Sequence, residues 1–349
     1  MKPVALAPNL IDHFYLGGDR IAALRGIEQT SDHQPEEWLA ATVSRADEGD
    51  IGLAKTEDGA LLRDLVVADP AAWVGPDHAD AASASDTGIL VKLLDAGQRL
   101  PVHVHPNRAF ATSHLDCPYG KTEAWFVLEA KPGSAFHVGW KEPVDRDELD
   151  RRRDAQDSEW MLSRMNRIEA TRGMGVLIPA GTVHAIDGGI FVAEVQEPTD
   201  FSIVLEWSVT TSTREESHLG LGFDAVMPAV STDALTPEQL AALITHGDLD
   251  ARGDSASSLL APAADPYFRV IHAAPLSGGS ASIGAGFAVA VVLEGEGSLV
   301  GDGEIAYRSG QVFAVPASFG DWEVRGSGSL LVATPGVGWP RSLRAGGVV

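Results

Sequence analysis

The chain is expected to be mainly β, arranged as two sandwich- or barrel-like units with a small helical insert. Short β-like runs recur with turn residues between them. The 37 glycines and 20 prolines punctuate the whole length, and helical signals are confined to a few stretches. With 349 residues, 44% of them apolar and 21% charged, the chain is long enough for a large core and two or three domains. Its composition is that of an ordinary globular protein.

The first unit rests on GILVKLL (88–94), EAWFVLEA (123–130), GVLIPA (175–180), GIFVAEV (189–195) and FSIVLEWSV (201–209). Each is an apolar or alternating run bounded by turn residues. The stretch GFAVAVVLEGEGSLVGDGEIAYRSGQVFAVPA (286–317) reads the same way and forms a second β unit. Between strands of the first unit, VDRDELDRRRDAQDSEWMLSRMN (144–166) is strongly charged, with Leu149, Trp160, Leu162 and Met165 as anchors. It reads as one or two inserted helices. Thr236-Pro237-Glu238-Gln239 before LAALI supplies an N-cap, a proline at the first helical position and a capping-box glutamine. HADAASASDTG (78–88) is small and polar, and reads as a loop. The expected division is 1–143 with 167–232 as a first unit, 144–166 as a helical insert, 233–258 as a helical linker, and 259–349 as a second unit. No repeat has a fixed period.

Twenty-six Lys and Arg stand against 49 Asp and Glu, a formal charge of −23. Such a chain repels nucleic acid and anionic membrane, so neither is an expected partner. Cys117 is the single cysteine, which rules out an intrachain disulfide; beside Lys121 in a loop it reads as an incidental thiol. The N-terminal MKPVALAPNLIDHF lacks the basic start, apolar core and small-residue cleavage site of a secretory leader. No run of apolar residues is long enough to span a bilayer. The cytoplasm is the expected location.

Three pieces carry chemistry. In RLPVHVHPN (99–107), His103 and His105 are two residues apart on a strand-like run. Residues i and i+2 share a face and lie about 7 Å apart along a strand. Glu123 opens EAWFVLEA, and His184 ends PAGTVH after GVLI. In a double-stranded barrel, an H-x-H strand, a carboxylate on the next strand and a histidine after a P-x-G-x-x-H turn converge inside. Together they supply N and O ligands suited to Zn²⁺ or another divalent ion. Taken singly, each has an ordinary reading: a polar pair on a half-exposed strand, a solvated strand-start acid, a turn histidine. His114, His137 and His218 keep the reading of surface or supporting groups.

Those motifs, with their flanks, resemble the type I mannose-6-phosphate isomerases, zinc-dependent cupins. The segments are GILVKLLDAGQRLPVHVHPN, GKTEAWFVLEAKPG, IPAGTVHAI and AEVQEPTD. The early EEWLAATVS, the helical insert and the metal-free second β unit fall in the family's order, so the resemblance spans nearly the whole chain. It implies two cupin-type β-barrel (jelly-roll) units, and a metal set of His103, His105, Glu123 and His184. His103 replaces a family glutamine, a conservative change because imidazole is at least as good a ligand as an amide oxygen.

By the same resemblance Glu194 and Asp200 line the sugar site. Aldose–ketose isomerisation moves a proton between C1 and C2 through an enediol, which needs a base and a stabiliser of the enediolate oxygen. Glu194 is the first candidate for acid–base work, its plain alternative being to orient a ligand histidine. Lys121 is the second candidate. The chain departs from the family at two phosphate-facing positions. A serine is replaced by Pro101 and an arginine by Val204, and valine cannot replace a charge-assisted Arg–phosphate bond. Arg214, ten residues on, either reaches back or is a solvated loop charge. The expected ligand is thus a small sugar or sugar phosphate. The functions left open are a mannose-6-phosphate-type isomerase, an isomerase of a sugar without phosphate or with another group at C6, a non-catalytic sugar-sensing cupin, and an Fe²⁺ oxygenase.

Overall fold

The computed structural model describes residues 1–45 and 49–344. Its sheets form successive layers. The first unit has a seven-stranded antiparallel sheet in the order Ile244–His246, Met174–Ile178, Glu123–Ala130, Ile190–Gln196, Leu90–Asp95, Glu36–Leu39 and Leu10–Ile11. It faces a five-stranded sheet of Ile203–Val204, His103–Val104, His184–Ile186, Ala135–Trp140 and Met165–Glu169. The second unit pairs a six-stranded sheet with a four-stranded one.

Strand alternation explains why the central runs read as continuously apolar. Along Glu123–Ala130, the side chains of Trp125 and Val127 join Phe136, Val138 and Ile186 inside the first unit. The intervening Ala124, Phe126 and Leu128 join Phe268, Val270, Val289 and Leu331 of the second unit. Ile190–Gln196 divides likewise, with Ile190 and Val192 inward and Phe191, Ala193 and Val195 outward. The seven-stranded sheet is therefore covered on both faces, like a core strand layer. The second unit has its own interior, with Ala290, Leu299, Phe313, Trp322 and Val332.

The helical insert forms two helices, Arg146–Asp154 and Ser158–Arg164. Asp145 and Asp157 accept from Glu148 N and Trp160 N at their N-termini, so each helix has a carboxylate cap. Leu149, Met161 and Met165 pack with Val104 and Ala185 behind the five-stranded sheet. Thr236 and Gln239 make the expected capping box on Pro237–Ala242.

Some elements differ from expectation. FSIVLEWSV yields only the two-residue strand Ile203–Val204, because Arg99 draws Glu206 into a bidentate ion pair at 2.6 Å and Glu206 also accepts from Val102 N. Within 233–258 one short helix is followed by Ile244–His246, which joins the first unit's sheet, and by Ser257–Ser258, which joins the second's. Val4–Ala5 pairs with Val312–Val315, so the chain starts in the sheet of the second unit. No helix among the described residues is long and apolar enough to cross a membrane.

Phe126 is fully buried between the two units. Phe126→Ala is expected to lower stability by about 3–5 kcal/mol, read as a shifted urea midpoint with an unchanged slope.

Candidate metal centre and active site

The facing sheets set two rows of residues against each other. On the five-stranded sheet His184 is registered with His103, and His103 with Val204. On the seven-stranded sheet, Trp38, Lys92, Glu194 and Trp125 are successive cross-strand partners. Glu123 lies one row along, opposite Gln196. Cross-strand partners are the closest side-chain neighbours a sheet provides, so the register itself assembles the site.

The three predicted histidines meet. Their ligating nitrogens all lie within 4.8 Å of one another. Nδ1 of His103 is 2.8 Å from Pro101 O, Nδ1 of His105 is 2.7 Å from Phe201 O, and Nδ1 of His184 is 2.8 Å from Thr182 O. A carbonyl oxygen only accepts, so each Nδ1 carries the proton and each Nε2 presents a lone pair. The Nε2 atoms of His103 and His184 then face each other at 2.9 Å. His105 Nε2 lies 3.0 Å from Glu123 Oε2, and neither atom has a hydrogen-bond partner. His184 Nε2 is 3.4 Å from Glu123 Oε1.

Burial opposes protonation of these rings. It pulls His105 and His184 down to about 3 and His103 well below its usual value; Lys121 pushes His105 further down, while Glu123 pulls upward on all three. Burial pushes Glu123 up, but His105, in the state where its ring is protonated, and the ammonium of Lys121 hold the carboxyl well below its usual range. Neutral nitrogens and one ionised oxygen, crowded without donors between them, form a donor set that fits a divalent cation.

The set borders a cavity of about 710 Å³, lined by His103, Glu123, Lys121, Glu194 and Asp200 together with Tyr15, Glu36, Lys92 and Trp125. His105 and His184 are buried behind it, 1% and 0% exposed. Glu194 is raised to about 8, by burial first and the charge of Glu123 second, against the pull of Lys92 and Lys121. Lys121 Nζ is 3.4 Å from Glu123. Asp200, at the rim, is 3.7 Å from Lys92 Nζ. Pro101 and Val204 also line this cavity. Arg214 instead stacks over Phe223 and lies 3.4 Å from Asp154. Cys117 is half-buried, and burial raises its thiol.

A second charged cluster was not foreseen. Lys92 Nζ is 3.1 Å from Glu36 Oε2 and sits 4.8 Å over the Trp38 ring. His13 Nε2 lies 3.2 Å from the same carboxylate, and the Tyr15 hydroxyl donates to its other oxygen. Burial works against the ammonium of Lys92, but Glu36, Glu194 and Asp200 overcome it and hold the group protonated. The available signal was a lysine at an inward position of GILVKLL, where the alternation calls for an apolar side chain.

No protein-family profile matches the chain. It is 25% identical over 255 residues to a probable mannose-6-phosphate isomerase, GmuF, of Bacillus subtilis, covering 71% of this chain and 75% of that protein. It is 27% identical over 252 residues to the mannose-6-phosphate isomerase ManA of the same organism, covering 70% and 74%. Among solved structures, a putative mannosephosphate isomerase from Archaeoglobus fulgidus superposes with a TM-score of 0.71 at 20% identity, covering 96% of this chain and 99% of that one. A mannose 6-phosphate isomerase bound with zinc and yttrium has a TM-score of 0.72 at 15% identity, covering 97% and 100%.

Glu194 has a raised folded-state value, so the native state binds its proton more tightly than the unfolded chain does. Its contribution is complete near the ordinary glutamate range and is lost as pH rises towards about 8. In metal-free protein, stability is expected to fall between pH 5.5 and 7.5 by up to about 1.4 kcal/mol per pH unit from this group. Glu194→Gln should remove that component, measured by urea denaturation across the pH series.

Proposed function

We propose, for this member of the mannose-6-phosphate isomerase family, that the isomerase activity is a metal-dependent aldose–ketose interconversion in which a proton moves between C1 and C2 of a hexose through an enediol. The observation that carries this reading is the meeting of three neutral imidazoles and one ionised carboxylate beside a titratable buried acid. His103, His105, Glu123 and His184 would hold the cation, and three nitrogens with one oxygen suit Zn²⁺. When bound, the ion supplies Lewis-acid stabilisation of negative charge on the substrate oxygens.

The remaining work falls to the chain's own groups. Glu194 carries the proton: a carboxyl poised at about 8 is basic enough to take it from carbon and acidic enough to return it near neutral pH. Lys121 sets its side-chain nitrogen 3.4 Å from Glu123, where it would meet charge developing on the substrate. Asp200 at the rim orients sugar hydroxyls. Trp125 and Leu94 form an apolar wall that excludes water, which strengthens these charge interactions. The similarity to named isomerases supports mannose 6-phosphate and fructose 6-phosphate as the pair.

A second reading of the substrate rests on the cavity wall. Carboxylates of Asp12, Glu36, Glu123, Glu194, Asp200 and Glu216 line it against the cations Arg45, Lys92 and Lys121. Lys92 and Lys121 are already engaged by Glu36 and Glu123, and Pro101 and Val204 offer a phosphate no side-chain hydrogen bond. On this reading the substrate is a hexose without phosphate, or with another group at C6, and the hydroxyls of Ser202, Thr211 and Ser212 in the same wall would meet sugar oxygens.

His105→Ala and Glu123→Ala are each expected to lose bound metal and at least about 10²-fold in kcat/KM; metal analysis beside a coupled assay checks both, and full activity without metal contradicts the site. The same assay over free and phosphorylated hexoses separates the two substrates. If the second reading holds, Val204→Arg should raise kcat/KM for the phosphosugar selectively. Turnover of mannose 6-phosphate by the unaltered protein at about 10 per second or faster contradicts that reading.

A further inference from the structure

We propose that Trp339 is a positioning residue for residues 117–122, the loop that presents Lys121 and Glu123, so that the second β unit braces the site of the first. This rests on the isomerase reading for its catalytic consequence, but the placement is independent of it. After strand Ser329–Pro335 the chain turns back, with Gly336 N donating to Tyr267 O at 3.0 Å and Val337 N to Asp265 O at 2.7 Å. The indole N–H of Trp339 then donates to the Tyr119 hydroxyl at 2.8 Å, and that hydroxyl donates to Asp86 Oδ2 at 2.7 Å. Asp86 is itself fixed by the N–H groups of Ala82 and Gly88 at 2.9 and 2.8 Å. The indole lies so close to Gly88 that a Cβ there would stand 2.5 Å from it. Burial, with the nearby charge of Asp86, keeps the Tyr119 phenol protonated, so the hydroxyl has one donor role and one acceptor role, both filled.

Tyr119 is buried and precedes Lys121 by one glycine. Gly120 O accepts from Thr199 Oγ1 at 2.7 Å, Lys121 N donates to Pro106 O at 3.0 Å, and Thr122 N donates to Glu197 Oε2 at 3.0 Å. Glu197 takes Arg108 Nε at 2.6 Å, and the Arg108 guanidinium lies 4.8 Å over the ring of Tyr267. Both chains of contact begin beyond the first unit and end on the same loop. Glu123 follows Thr122 directly, and small displacements of reacting groups carry large rate penalties. A missing indole N–H leaves the Tyr119 acceptor site empty in a buried place and loosens the loop by one tether.

Trp339→Phe keeps an aromatic ring and removes the N–H. Hydrogen–deuterium exchange on the full chain is expected to speed up in peptides covering 117–123 and to stay unchanged elsewhere. kcat should fall on the order of 10-fold with KM nearly constant. Tyr119→Phe cuts the same link from the other side and also removes the bond to Asp86, so it should act at least as strongly, and the double variant should be no worse than Tyr119→Phe alone, because that change already breaks the connection to Trp339. Unchanged exchange in 117–123, or faster exchange throughout the chain with a lower Tm and unaltered kcat, or additive losses in the double variant, would each overturn the proposal. Should the unaltered protein isomerise no hexose, the functional reading fails, while the exchange comparison still decides whether Trp339 positions the loop.

Discussion

The structure turns on a contact that is unfavourable by itself. Two imidazole nitrogens, each stripped of its proton by the carbonyl bond on the other side of its ring, face each other at 2.9 Å. A third imidazole and a buried carboxylate oxygen close the group without a donor between them. Lone pairs at such distances repel, and burial prevents water from separating them. A cation held in their midst would turn these repulsions into attractions. The carbonyls of Pro101, Thr182 and Phe201 are thus as much a part of the centre as the rings, because they dictate which nitrogen points inward.

The layered sheets make this tolerable. The seven-stranded sheet buries one face against the five-stranded sheet and the other against the second unit, so its backbone has little freedom to relax away from the charges it carries. Polar side chains are confined to one inward zone, where Lys92, Glu194 and Glu36 offset one another, while Trp125, Val127 and Val192 keep the rest apolar. The second unit contributes through that shared layer and through its contacts to the loop at Tyr119.

The parts legible in the sequence were those with local periodicity or a local motif. EAWFVLEA matches a strand residue for residue, Thr236 and Gln239 cap a helix as their spacing requires, and His103, His105, Glu123 and His184 come together from three separate segments. Parts that depend on long-range pairing were not legible. FSIVLEWSV has the composition of a strand, yet Glu206 leaves the ladder for Arg99. No motif in the sequence singles out His13, Tyr15 or Glu36, which join the cavity wall, or Val4–Ala5, which joins the second unit's sheet. Lys92 left a trace, a charge inside an apolar run, whose meaning depends on partners dozens of residues away.

X-ray absorption at the zinc edge of metal-loaded protein tests the central claim most directly, because it reports the atoms around the ion rather than a consequence of binding. The structure predicts three imidazole scatterers and at least one oxygen, with no sulfur. A sulfur shell implicating Cys117, fewer than three imidazoles, or an ion surrounded by water alone would contradict it.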